Sequence, residues 1–139
     1  MSIDKSGISS KVLPGKMIVE VKANHPLILL ANALAWEELA ETVLLDLKAT
    51  TKKGKWWLGR PLQLRIHLGA YLIQQLHDLT DRGIEYGLKD NAVYQLFCGK
   101  DTVKKWHFPD HTKIEEFRSR LSADTQRRLG NVISKQARH

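Results

Sequence analysis

From Leu27 onward, the apolar residues of this chain recur at three- and four-residue steps, the period that lines one side of an α-helix. Leu27, Leu30, Ala31 and Leu34 form a first stripe, and Leu39, Ala40, Val43, Leu44 and Leu47 a second. The stripe drifts near Ala35 and Trp36, where Trp36-Glu37-Glu38 reads as a fresh first turn. Glu37, Glu38 and Glu41 favour the positive end of that second helix. Pro26 suits a first turn, where its missing N–H costs nothing, and His25 before it is read as a local polar contact. The strongest pattern runs from Pro61 to Asp78. There Leu62, Ile66, Gly69, Ile73 and Leu76 share one stripe, and Leu68, Leu72 and Leu79 widen it. So broad an apolar face is expected of the central helix of a bundle, with Gly69 admitting a close neighbour.

Past this helix the pattern shortens. Thr80 is placed to cap a helix carrying Ile84 and Leu88, Lys89-Asp90-Asn91 makes a turn, and Ala92 to Cys98 begins another helix that Gly99 ends. A short helix, a polar turn and a second short helix are compatible with a helix-turn-helix. The second of these, AVYQLFC, carries no basic residue and suits phosphate poorly. Gly83 and Gly87 each weaken the first by about 1 kcal/mol relative to alanine. In PDHTKIEEFRSRL, residues 109–121, Thr112 and Glu115 match a capping box. Ile114, Phe117 and Leu121 fall on the core side of that helix, with Lys113 and Arg120 at one edge and Arg118 at the other. Ser122 caps a last helix, from Ala123 to about Ala137, with a thin stripe of Leu129, Val132 and Ile133. The expectation is an all-α fold, a small bundle of about five to six helices. It is preceded by a Ser/Gly/Lys-rich flexible lead-in over residues 1–16 and one short extended segment at Met17–Val21. Residues 17–122 form the helical domain and 123–139 a basic C-terminal helix.

Composition adds charge to this picture. The chain has 139 residues, enough for one self-sufficient core, and a net charge of +7. Residues 1–50 hold five Lys and Arg against six Asp and Glu, 51–100 eight against four, and 101–139 nine against five. The basic excess of the last two thirds points to a polyanion-facing side. A single cysteine, Cys98, excludes an internal disulfide and fits a reducing compartment. With neither a signal-peptide core nor an apolar run of spanning length, the expectation is a soluble cytoplasmic protein without a membrane partner.

The candidate chemistry is binding. Lys52, Lys53, Lys55 and Arg60 surround Trp56-Trp57, and Lys104 and Lys105 precede Trp106. Cations interleaved with aromatic rings can follow a phosphate backbone, although the indoles themselves are read as anchors to the core. Lys113, Arg118 and Arg120 have apolar stems that can lie along the surface while their heads reach out. The sequence has no glycine-rich phosphate loop, no Cys-x-x-Cys and no Gly-x-Ser-x-Gly. Catalysis by this chain is therefore not expected, nor is a metal or cofactor. His67 and His77 stand ten apart on different helical faces, with no third ligand nearby.

Three segments in order resemble the N-terminal helical domain of bacterial insertion-sequence transposases with a DDE catalytic core. They are His25-Pro26-Leu27, Gly59-Arg60-Pro61, and Asp110-His111-Thr112 followed by Phe117-Arg118-Ser119-Arg120-Leu121. The likeness spans about residues 17 to 137. It departs at Gly83 and Gly87, where helix formers are usual, and at Ala35, where a capping Asp is common. The resemblance implies a domain that binds the double-stranded ends of the transposon and aids their assembly, with the ribonuclease H-like nuclease following it. This chain stops before that core. The DNA-facing residues would be Lys113, Arg118 and Arg120, supported by Lys104, Lys105, Arg60, Lys52, Lys53 and Lys55. The alternative is a helical module that pairs subunits as a homodimer.

Overall fold

Prolines and short polar side chains set where the helices of this protein begin. The computed structural model describes residues 2–3, 8–13, 17–50, 61–99 and 108–136, with side chains described in 22–50, 63–99 and 108–136. Among these residues there are seven α-helices. Pro26 stands in the first turn of α1 (Pro26–Ala33), and the Nδ1 of His25 accepts the Leu27 N–H at 3.1 Å, so this histidine is a cap. The break expected at residue 35 is present, and α2 (Trp36–Thr50) begins at the tryptophan with Glu37 and Glu38 in its first turn. The Trp36 indole N–H donates 2.8 Å to the Ala31 carbonyl, tying the two helices at their corner.

Helix α3 (Pro61–His77) is the hub, packed against α2, α4, α5, α6 and α7. Ile66, Leu68, Ile73 and their neighbours are buried nearly all round, as a central position requires. Its close-approach glycine has a function that the spacing foretold. A Cβ on Gly69 would lie 2.7 Å from the Cys98 sulfur, so hydrogen alone fits there. Asp78, at φ 53°, reverses the chain out of α3 in the left-handed region that Asp tolerates.

Helix α4 (Asp81–Asp90) is capped by Thr80, whose hydroxyl accepts the Gly83 N–H at 3.0 Å. Helix α5 (Ala92–Phe97) is capped by Asn91 and ends at Gly99, φ 87°. Helices α6 (His111–Ser119) and α7 (Ala123–Gln136) complete the bundle. Helices α1 and α5 are separate elements, as the pattern predicts, and the described residues hold seven helices where about five to six were expected.

Two details differ from the sequence reading. The cap of α6 is Asp110, whose carboxylate accepts the Lys113 N–H at 2.9 Å, and the Thr112–Glu115 box is not its start. An Asp two residues earlier offers an equally good acceptor, and it wins because Glu85 on α4 simultaneously takes the His111 N–H at 2.6 Å. Before the bundle, the strands β1 (Ser2–Ile3), β2 (Ile8–Leu13) and β3 (Met17–Lys22) form an antiparallel sheet in that order. Leu13 pairs with Met17 and Ile8 with Lys22. The extended segment expected at 17–21 is thus β3, and β1 and β2 both fall within the stretch read as a lead-in. Among the described residues no helix is long and apolar enough to cross a membrane.

Candidate nucleic-acid interface

The basic residues of the described bundle divide by what their head groups touch. Arg118 on α6 is held in the interior of a three-helix seam. Its two terminal nitrogens reach both carboxylate oxygens of Asp81 on α4, at 2.5 and 3.0 Å. The Gln74 side chain on α3 donates 2.7 Å to the same Asp81 and accepts from Arg118 at 3.2 Å. Only 29% of the Arg118 side chain and 24% of the Asp81 side chain is exposed. The fork-to-fork pair holds the Asp81 carboxyl below its ordinary range despite partial burial, and raises Arg118.

One turn further along α4, Glu85 makes a second tie to α6. Its Oε1 accepts the His111 N–H and lies 2.8 Å from His111 Nδ1, while Oε2 meets Lys89 at 3.5 Å. These hydrogen bonds from His111 lower the Glu85 carboxyl. Beneath α6, His67 of α3 is 3% exposed, sits 5.4 Å from the Phe117 ring, and has its Nδ1 2.9 Å from the Gln63 carbonyl. Burial pushes its pKa down to about 4, aided by the nearby Lys113 charge, so it is neutral at pH 7. His67 is a core residue, as its lone place on an apolar helix allows. A further cation, Arg65, lies flat on Trp36 with its guanidinium carbon 3.6 Å from the ring centroid, and donates 3.1 Å to the Phe97 carbonyl.

Other cations are displayed. Lys113 is exposed on the edge of α6 away from α4. Arg120, on that same edge, is not displayed in this way: it pairs with Glu116 at 2.8 Å and only 22% of its side chain is exposed, less than for Arg118. On α7, Arg127 and Arg128 are about two-thirds exposed and share Asp124 at 3.3 and 3.2 Å, while Lys135 is exposed two turns on. Arg82 and Lys89 are exposed on α4. Of the nine basic residues expected to face DNA, the structure therefore places three. It separates Arg118 from Lys113 and Arg120 to opposite edges of α6. Lys52, Lys53, Lys55, Arg60, Lys104 and Lys105 lie outside the described residues.

The helix-turn-helix reading also acquires a geometry. Helix α5 buries Gln95 and Phe97, and the Gln95 amide donates 3.0 Å to the Leu88 carbonyl, closing the end of α4. Helix α5 is thus packing material, and α4 is the partner that carries exposed charge. Gly87 shows why α4 tolerates a glycine: a Cβ there would stand 2.6 Å from the Tyr94 ring of α5. Elsewhere, an open cleft of about 880 Å³ lies between α1 and the end of α3, with Leu29, Leu30 and Leu76 inside and His25 and His77 at its rim. Its histidines are engaged with the Leu27 N–H and the Tyr94 hydroxyl.

Compared with known protein families, residues 17–120 match the one described as Transposase domain (DUF772). No curated protein and no solved structure matches the chain.

Proposed function

The chain belongs to the Transposase domain (DUF772) family, and on that premise we propose that it is a DNA-binding module that recognises the terminal repeats of an insertion sequence. In this reading residues 17–122 correspond to the N-terminal helical domain of a DDE-type transposase, whose part is binding the element ends. The observation that carries the proposal is the set of cations held outward on a bundle in which Arg65 and Arg118 are used internally. Lys113, Arg82 and Lys89 are exposed in the α4–α6 half, and Arg127, Arg128 and Lys135 along α7. Such groups neutralise phosphates and release counterions, which supplies affinity without reading sequence. Arg118 has a different part: it orients α6 on α4, and its effect on DNA would pass through that orientation.

Fluorescence anisotropy with labelled duplex across a salt series tests the proposal. If about six cations engage phosphates, log K falls with log salt at a slope near −5. Tighter binding to an element end than to scrambled duplex is the expected result; an affinity indifferent to salt overturns the proposal.

A second reading, a helical module that pairs subunits, is favoured by Leu29 and Leu45, which are 54% and 68% exposed. Sedimentation at micromolar concentration separates the two. A stable dimer that ignores DNA supports pairing as the main role, and a monomer that binds duplex supports the first reading.

A further inference from the structure

Helix α4 presents one row of side chains turned to solvent. Ile84 and Leu88 are fully buried, and Asp81 and Glu85 are tied to Arg118 and His111. The next row around the helix is Arg82, Tyr86 and Lys89, at i, i+4 and i+7, on one solvent-facing strip. Tyr86 is 57% exposed, an unusual position for a large ring with buried alternatives one turn away. Arg82 makes no ion pair among the described residues, and Lys89 is 53% exposed with its one carboxylate partner at 3.5 Å.

The strip is held rigidly. The Arg118 ion pair at position 81 and the His111 hydrogen bonds at position 85, one turn apart, fix the roll of α4 against α6 from one side. Gln95 and the Tyr94 ring fix it from α5 on the other. A helix clamped in this way cannot rotate its outer row inward, so the three side chains are pre-oriented toward solvent. The carboxylates carried by α4 itself are Asp81, held by Arg118, Glu85, already shared between His111 and Lys89, and Asp90 at the helix end. Glu115 of α6 is close enough to raise the pKa of Arg118.

We infer that Arg82, Tyr86 and Lys89 form a contact for the phosphate backbone of duplex DNA, a site that rests on the DNA-binding reading above and places it on α4. From Arg82 to Lys89 the helix rises roughly 10 Å, and the flexible ends of both side chains widen that reach to phosphates two steps apart on one strand. The two cations thus match phosphates flanking a central one, to which the Tyr86 hydroxyl donates while its ring lies against sugar. This reverses the usual assignment in a helix pair: the first short helix touches DNA, and the second, α5, supports it from inside.

The test compares duplex affinity of the full chain with that of R82Q, K89Q, the double variant R82Q/K89Q and Y86A, across a salt series. K48Q serves as control, because it removes one exposed charge from α2, which packs on α3 and α7. Thermal melts of each variant establish that all are folded. The double variant is expected to lower the salt slope by about 1.8 and to weaken binding roughly 50-fold at about 0.1 M salt. Y86A should weaken binding several-fold with less change of slope, and K48Q should leave the slope as it was. Wild-type binding that survives unchanged in R82Q/K89Q overturns the inference and leaves the DNA-binding reading standing. A wild type that binds no duplex overturns both.

Discussion

Arg118 and Arg82 lie on neighbouring helices of one seam, yet their guanidinium groups have opposite situations. Arg118 meets Asp81 through two hydrogen bonds and Gln74 through a third, with less than a third of its side chain exposed. Arg82, the very next residue after Asp81, points away from all of this into solvent. The difference teaches that a basic residue in a basic protein is not by that fact a ligand contact. An arginine that finds a planar carboxylate at a helix crossing becomes part of the scaffold, because its fork gains two charge-assisted bonds in partly desolvated surroundings. One helical position away the same group remains available. Burial of Ile84 and Leu88 and the pair at 81 and 118 both suit the roll of α4 that leaves residue 82 outward.

The largest expected effect probes the floor of the seam. His67 is neutral when folded, with its pKa near 4, and protonates near 6.5 when unfolded. The unfolded state therefore binds more protons between those values, and stability is lost as pH falls from about 6.5 to about 4. The loss should reach about 3 kcal/mol in urea unfolding, and H67F should flatten the dependence in that window. Asp81 and Glu85, whose carboxyls are lowered in the fold, add their own loss below pH 4 or so.

Next in size is the comparison itself. R118A leaves Asp81 and Gln74 without their shared partner in a partly buried site and should cost about 2 kcal/mol by denaturant unfolding. R82A, on the exposed row, should stay within about 0.5 kcal/mol of wild type. Equal costs for both would erase the distinction between scaffold and contact. Somewhat smaller is G87A: the added methyl gains about 1 kcal/mol of helix propensity but drives into the Tyr94 ring. Overpacking of about 1–3 kcal/mol should leave a net destabilisation, readable as a lowered melting temperature. The smallest stability effect is expected of R82Q/K89Q, which should melt with the wild type while losing affinity for duplex.

Much of the frame was legible before any coordinates. Pro26, Thr80, Ser122 and Gly99 announce helix ends through local chemistry, and each is found at its end. Gly69 announced a close neighbour, which is Cys98. What was not legible depends on partners far away in the chain. Glu85 lies 26 residues from His111 and Asp81 37 from Arg118, so neither the cap of α6 nor the burial of Arg118 follows from local spacing. Gly87 looked like a flaw in α4 because propensity counts only the helix, whereas Tyr94 needs the space. Arg82, Tyr86 and Lys89 could have been found from their i, i+4, i+7 spacing opposite Ile84 and Leu88. The clustering of charge near the tryptophans drew the reading elsewhere.

The most direct measurement is the salt slope of duplex binding for R118A set against that for R82Q/K89Q. If Arg118 is scaffold and the α4 row is contact, R118A weakens binding with its slope kept near the wild-type value, and R82Q/K89Q reduces the slope by about 1.8. A slope that falls by about 0.9 in R118A and is unmoved in R82Q/K89Q would place the phosphate contact in the seam and contradict the account.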